Sequence, residues 1–259
     1  MKARRAAVAG MFYPVDKAVL ERTVAELLAA APASSDNAKA IIAPHAGYQY
    51  SGLTAAHAYR LLEASRKKIR RVVLLGPAHR VYLQGMALPS VDAFSTPLGD
   101  VPIDTDGVEQ ELGLPGTQNS DEAHADEHSL EVHLPFLQTV LDNFQIIPIV
   151  VGICPAHEVE SVLSALWGGE ETLIVVSSDL SHFHSYEIAR DIDANTTARI
   201  EHCDATLHGE DACGAYALNG LLLAATSHGL QVRTLDARNS GDTAGDKSRV
   251  VGYGAYAIA

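Results

Sequence analysis

The chain alternates short apolar runs with longer amphipathic segments. Three β-branched runs, at 40–43, 72–75 and 173–176, have the length and composition of strands that are buried on both faces of a parallel sheet. Leucine and valine recur at helical spacing elsewhere, first in a segment that Asp16 can cap and that continues to about Ala30. The pattern predicts an α/β fold in which helices flank a mixed, mainly parallel central sheet.

Further elements follow from the same periodicities. Helices are predicted at 51–64, 129–143, 157–167, 186–202 and 211–228, and strands at 145–151, 231–236 and 249–258. Prolines and a glycine interrupt residues 85–103, which favours an antiparallel addition over another βα unit. No repeat or linker divides the sequence, so we expect residues 1–259 to form one domain.

Composition narrows the class of protein. The 19 Lys and Arg against 32 Asp and Glu give a net charge of −13, which argues against a nucleic-acid surface. The three cysteines, none in a CxxC spacing, are typical of a reducing compartment. The N-terminal apolar stretch is too short for a signal peptide, and no run is long enough to span a membrane. We therefore expect a soluble, cytoplasmic protein with neither a nucleic-acid nor a membrane partner.

Three histidines share one local setting. His45, His79 and His182 each follow one of the three β-branched runs within a few residues. Ligands of open α/β sheets bind outside the carboxyl ends of the strands, so these imidazoles can converge there. Because imidazole is the commonest protein metal ligand and the usual acid or base near neutral pH, the pattern predicts a metal or acid/base centre.

The densest polar cluster lies at 121–133, where eight residues are acidic or histidine. His128 and His133 would diverge by about 140° on a regular helix, so they can share a metal only if His128 precedes that helix. His124 to His128 also matches the H-x-x-E-H pattern of a peptidase family, with Glu201 as a conceivable distant ligand. Poor helix propensity in residues 121–126 argues against that interpretation.

Hydroxyl, carboxylate and imidazole groups mix in the segment 177–184. A Ser-His-Asp hydrolase is conceivable there, but the G-x-S-x-G elbow is absent. We expect Asp179 instead to orient a neighbouring imidazole. His184 suits a helix cap or solvent as well as it suits a site. In the Gly-rich stretch 239–248, Asp242 or Asp246 can complete a two-histidine, one-carboxylate site.

Several motifs occur in one order along almost the whole chain, from about Arg5 to Ala257. They are AGMFYP, PHAGYQYSG, GPAH, the turn at 95–100, EHSLEVHLPFLQ, SSDLSHF and NSGDTAGDKSRVVGY. In this order they resemble the Memo family, which is also called AmmeMemoRadiSam system protein B in bacteria and archaea.

The resemblance implies a fold similar to that of class III extradiol dioxygenases. His45 and His79 would then occupy the two histidine positions of an iron site, and His182 the position of an acid/base. The third ligand is a glutamate in those dioxygenases, and a cysteine occupies that region in animal Memo proteins. The matching loop here offers Asp242 and Thr243. Of these two, Asp242 preserves a carboxylate.

Two hypotheses follow. In the first, the protein is a dioxygenase-like metalloprotein in which His45, His79 and Asp242 bind iron(II), with copper or zinc as alternatives. Its candidate catalytic residues are His182, Asp179 and His128. In the second, it is a non-enzymatic module whose histidines bind a phosphotyrosine-type peptide or another modified-residue ligand. The bacterial family name further implies AMMECR1-like and radical-SAM proteins as partners.

Overall fold

The computed structural model describes residues 2–33 and 37–259. The strands are β1 (Ala3–Arg4), β2 (Ala40–Ala43), β3 (Arg71–Pro77), β4 (Met86–Leu88), β5 (Ala93–Thr96), β6 (Gly99–Pro102), β7 (Thr117–Asn119), β8 (Gln145–Val151), β9 (Thr172–Ser177), β10 (Asp179–His184), β11 (Val232–Asn239) and β12 (Val250–Ile258). The helices are α1 (Lys17–Ala30), α2 (Tyr48–Arg60), α3 (Thr105–Glu111), α4 (Asp121–Ala125), α5 (Leu134–Val140), α6 (Ala156–Ala165), α7 (Tyr186–Glu201) and α8 (Ala215–Ser227). Short 3-10 turns occupy Leu61–Ser65, Glu131–His133 and Ser240–Asp242.

A nine-stranded mixed sheet forms the centre, with the strand order β10-β12-β2-β9-β3-β8-β4-β7 and with β11 also paired to β12. Its four middle strands, β2, β9, β3 and β8, are parallel, whereas β12 runs antiparallel to β2. The predicted antiparallel addition is present, because β4 runs antiparallel to β8 and β5 pairs with β6 and β1 in a second, three-stranded sheet. The predicted mixed α/β fold is confirmed.

The middle strands are apolar because helices cover both of their faces. Every residue of β2 is buried, and so are Val72 to Leu75 of β3. The first helix begins where the sequence predicts, since the Asp16 carboxylate accepts a hydrogen bond from Val19 N at 2.9 Å. No helix among the described residues combines the length and apolar character needed to cross a bilayer.

Two segments near the carboxyl edge of the sheet have a structure that the sequence pattern did not predict. The helix expected at 129–143 contains a 3-10 turn followed by the seven-residue α5, in which Pro135 occupies the first turn. The segment after β9, for which no element is predicted, forms β10, which pairs with β12 through two register shifts. Phe183 lies in this irregular pairing with a φ of 65°. The first difference leaves His128 ahead of the helical segment, and the second puts His182 on a strand of the sheet.

Candidate metal centre

Three imidazoles converge at the carboxyl edge. His45 follows β2, His79 follows β3, and His128 enters from the segment between α4 and the next 3-10 turn. One nitrogen from each ring lies within 4.8 Å of the other two. The ring centroids of His45 and His79 are 5.1 Å apart, and those of His79 and His128 are 4.8 Å apart. This group can hold a metal ion.

The His45 ring is fixed by a serine below it. His45 Nδ1 lies 2.6 Å from Ser177 Oγ, and that hydroxyl donates its own hydrogen to the Ser129 carbonyl at 2.7 Å. Ser177 Oγ must therefore accept from Nδ1–H, which leaves the lone pair on His45 Nε2. Ser177 is fully buried and its hydrogen is already committed, so the arrangement does not suit a nucleophilic serine.

Burial keeps the His45 and His128 imidazoles neutral. It lowers the pKa of His45 well below 6.5, and the neighbouring His79 and His128 rings lower it further. Burial is also the main reason that the pKa of His128 falls to about 4, despite the opposing effect of Glu127. Neutral imidazole is the form that coordinates metals, so these two rings are available as ligands at neutral pH.

Glu127 lies behind His79 and His128. Its Oε1 is 3.0 Å from His79 Nδ1 and 3.3 Å from His128 Nδ1. Burial alone would raise the pKa of this carboxyl, but hydrogen bonds from His79 and Ser129 outweigh it, and the pKa is about 2. The carboxylate is therefore ionised behind two candidate ligands.

A thiol that the sequence analysis missed faces the same group. Cys213 Sγ lies 3.5 Å from His45 Nε2, and it accepts a hydrogen bond from Asp179 N at 3.2 Å. Burial raises the pKa of this thiol, and Asp179 raises it further. No local signal marks Cys213 in the sequence, because it follows a turn and not a strand. Its position depends on Gly214, where an added Cβ would lie 2.6 Å from the Ser177 carbonyl oxygen.

Asp179 supports the backbone of the site rather than an imidazole ring. Its Oδ1 accepts from His45 N at 2.8 Å, at the start of the turn that carries this histidine. Burial raises the pKa of the Asp179 carboxyl to about 7, partly offset by that hydrogen bond. Asp179 therefore contacts the backbone of a candidate ligand and is not itself placed as a ligand.

His182 belongs to the cleft beside the three-imidazole group but not to the group itself. It stands on β10, opposite Val251 of β12. The cleft has a volume of about 710 Å³, and its lining includes His79, His182, His184, Glu210, Asp211 and Cys213. Burial lowers the pKa of His182. It is placed to meet a molecule that enters the cleft.

The structure does not bring Asp242 into the group. Asp242 ends a 3-10 turn, where its Oδ2 accepts from Asn239 N at 2.9 Å and its Oδ1 accepts from Tyr186 OH at 2.5 Å. Thr243 is the other candidate in this loop, and its Oγ1 donates to the Ser240 carbonyl oxygen at 3.2 Å. Both residues are engaged within their own turn.

The remaining histidines of the polar cluster point elsewhere. His124 Nε2 lies 2.9 Å from the Ala87 carbonyl oxygen, and His133 Nδ1 lies 2.8 Å from Tyr59 OH. The helix α4 ends before His128, and Glu201 accepts a hydrogen bond from Thr234 Oγ1 at 2.7 Å. The continuous helix that an H-x-x-E-H peptidase site requires is therefore not formed. His128 precedes the 3-10 turn that carries His133, the condition under which the two could share a metal, but His133 bonds to Tyr59 and is not part of the three-imidazole group.

Comparisons with known proteins agree over almost the entire chain. The profile of the family described as Memo-like protein matches residues 4–257. A MEMO1 family protein of Aquifex aeolicus is 38% identical and covers 98% of both chains. A MEMO1 family protein of Methanothermobacter thermautotrophicus is 36% identical, covering 96% of this chain and 98% of its own. An uncharacterized protein of Escherichia coli K12, solved by crystallography, shares the fold with a TM-score of 0.54 at 12% identity, covering 85% of this chain and 99% of its own.

Proposed function

The chain belongs to the Memo family, and from that premise we propose that it is a metalloprotein of oxidative function that holds a divalent metal, iron(II) in the first place, between His45, His79 and His128. One observation carries the proposal: three imidazoles from three separate segments place nitrogens within 4.8 Å of one another. Two of them, His45 and His79, are those that the sequence nominated as ligands.

The donor set fits a first-row transition metal. Imidazole nitrogen suits iron, copper and zinc, and a thiolate from Cys213 would add a soft donor that favours the same metals over magnesium or calcium. The raised pKa of the Cys213 thiol argues against a free thiolate nucleophile. A cation at His45 Nε2 would displace the thiol proton, because metal binding and thiol deprotonation are coupled.

The chain itself would bind and orient a substrate. The bound metal would supply Lewis-acid and one-electron chemistry. His182, neutral because burial lowers its pKa, would accept or return a proton at a substrate atom in the cleft. Asp179 would keep His45 in place through its backbone.

Metal content tests this function directly. Protein purified anaerobically without chelator should contain about one iron per chain, and His45→Ala, His79→Ala and His128→Ala should each remove most of it. His184→Ala, which changes a cleft residue outside the imidazole group, is the matched control and should retain the metal. Asp242→Ala should also retain it, because both of its oxygens are engaged within the turn. An unchanged metal content in all three imidazole variants would contradict the proposal.

A second function is favoured by two exposed aromatic residues that are close in sequence to histidines of the cleft. Tyr82 and Phe183 follow His79 and His182 closely in the chain, and their side chains are 80% and 60% exposed. Exposed aromatic side chains are typical of binding surfaces. We propose a peptide or protein partner here, with AMMECR1-like and radical-SAM proteins as the first to test. Tyr82→Ser combined with Phe183→Asn should abolish co-purification of such a partner and leave metal content unchanged, since asparagine tolerates the positive φ at 183.

A further inference from the structure

We propose that Glu127 is the positioning residue of the metal centre: one buried carboxylate holds both His79 and His128 with Nε2 directed at the metal. This inference rests on the proposed function for the metal, but the orientation of the rings does not depend on metal being bound. Glu127 reaches them from the segment that also supplies His128, so one stretch of backbone both donates a ligand and orients two.

The Glu127 carboxylate is saturated by N–H donors. Its Oε2 accepts from His79 N at 2.5 Å, and its Oε1 accepts from His128 N and Ser129 N, both at 2.9 Å. The side chain is only 1% exposed. Backbone donors therefore fix the position of Oε1 before either imidazole is considered.

That fixed oxygen determines which nitrogen of each ring carries hydrogen. Oε1 already accepts two backbone N–H bonds and has no hydrogen to give, so His79 Nδ1, at 3.0 Å from it, carries the hydrogen of that contact. His128 Nδ1 is 3.3 Å from the same oxygen and has no well-aligned hydrogen-bond partner among the described residues. The negative oxygen favours N–H at that position too. In both rings the lone pair is then on Nε2.

The third imidazole is oriented from the same segment. Ser129 supplies the carbonyl that accepts from Ser177 Oγ, and this bond makes Ser177 an acceptor for His45 Nδ1–H. Ser129 Oγ in turn donates to the Pro77 carbonyl at 2.8 Å, next to the turn that carries His79. Residues 127–129 thus set the nitrogen that each of the three rings presents.

Charge provides an independent reason to connect Glu127 with a cation. A buried carboxylate is usually paired with a cationic side chain or a metal. Nearby Glu131 is paired with Arg4, whereas no Lys or Arg within residues 2–33 and 37–259 forms an ion pair with Glu127. A divalent metal held by His79 and His128 would supply that missing positive charge.

Two measurements test the role. In metal-free wild type labelled with ¹⁵N-histidine, NMR should show Nδ1–H tautomers for His45, His79 and His128. In Glu127→Gln the amide NH2 must face a backbone or ring N–H, which disturbs the His79 ring. Cobalt(II) affinity should then fall about 10- to 100-fold, as for other residues that orient metal ligands. The exposed Glu122→Gln is the matched control and should bind as wild type does.

The outcomes separate this inference from the proposed function. Nε2–H tautomers in the metal-free wild type would overturn it, as would a folded Glu127→Gln variant that binds cobalt(II) within twofold of wild type. If Glu127→Gln does not fold, the wild-type tautomers still decide. If wild type binds no metal while the tautomers are Nδ1–H, the function fails and the orienting role of Glu127 stands.

Discussion

Cys213 Sγ lies 3.5 Å from His45 Nε2, the nitrogen that Ser177 leaves without hydrogen. A thiol and an unprotonated imidazole nitrogen therefore face one another at the edge of the sheet. Burial and Asp179 disfavour the thiolate while no cation is present. The pair is suited to share a metal, and less suited to work as an activated cysteine nucleophile.

The first prediction concerns this thiol. Cobalt(II)-loaded wild type should show a thiolate-to-metal charge-transfer band in the near ultraviolet, and Cys213→Ser should lose that band. Affinity should fall by about tenfold or more, while the three imidazoles still bind the ion. Cys203→Ser, at the end of α7, is the matched control and should keep the band. A band that survives in Cys213→Ser would place the thiol outside the coordination sphere.

The central fold and two of the three imidazoles could be predicted because their signals are local. Buried parallel strands appear as continuous apolar runs, and His45 and His79 directly follow two of them. Topology brings the ends of neighbouring strands together, so position after a strand indicated which histidines could meet, although His182, which also follows a strand, lines the cleft beside the group.

The rest of the site depends on contacts distant in sequence. Cys213 is positioned by the close approach of Gly214 to the end of β9. Gly214 N donates a hydrogen bond to Ser178 Oγ, and the two residues are 36 positions apart in the sequence. The role of Glu127 at the site can be recognised only from its hydrogen bonds to His79, which is 48 residues away in the sequence. Asp242 has the right chemistry for a ligand, but its local turn binds both oxygens, and sequence spacing does not reveal which way a turn faces.

The second prediction tests how closely the segment 127–129 packs against β3. A Cβ added at Gly76 would lie 2.8 Å from Ser129 Oγ and 2.9 Å from Leu130 Cδ2. Gly76→Ala should therefore displace Ser129, lower the free energy of unfolding by about 1–3 kcal/mol, and weaken metal binding. Gly209→Ala is the control, because no atom lies within 4 Å of its added Cβ. Denaturant unfolding and cobalt(II) titration measure both effects. Unchanged values in Gly76→Ala would show that the segment can shift without cost.

The third prediction concerns the buried ion pair between Arg4 and Glu131. Glu131 also accepts from Ala7 N at 2.7 Å and from Tyr13 OH at 2.6 Å, so it fastens the N-terminal segment to the site. Glu131→Gln leaves the buried guanidinium without a counter-charge and should lower the free energy of unfolding by about 3–5 kcal/mol.

A surface pair gives the matched control. Lys17 Nζ and Glu21 Oε1 are 3.9 Å apart, and both side chains are more than half exposed. Glu21→Gln should therefore change the free energy of unfolding by less than about 0.5 kcal/mol. Chemical denaturation followed by circular dichroism distinguishes the two. Equal effects in both variants would mean that the Arg4 guanidinium finds another partner or water.

The fourth prediction is a pH dependence of stability that originates at Glu111. This side chain is fully buried at the end of α3, neither of its oxygens has a hydrogen-bond partner among the described residues, and burial raises its pKa from 4.5 to about 7. Between those two values the folded chain keeps a proton that the unfolded chain has lost. The free energy of unfolding should therefore fall as pH rises from 4.5 to 7 and lose no more from this group above 7.

Glu111→Gln isolates this contribution, because glutamine is close in shape to the protonated acid and does not titrate. Wild type and variant should have similar stability near pH 4, whereas the variant should be more stable by about 2–3 kcal/mol at pH 8. Urea unfolding at both pH values measures the difference, with the exposed Glu109→Gln as control. Parallel stability curves for wild type and Glu111→Gln would mean that the carboxyl ionises without penalty in the folded chain, which requires water to reach the end of α3.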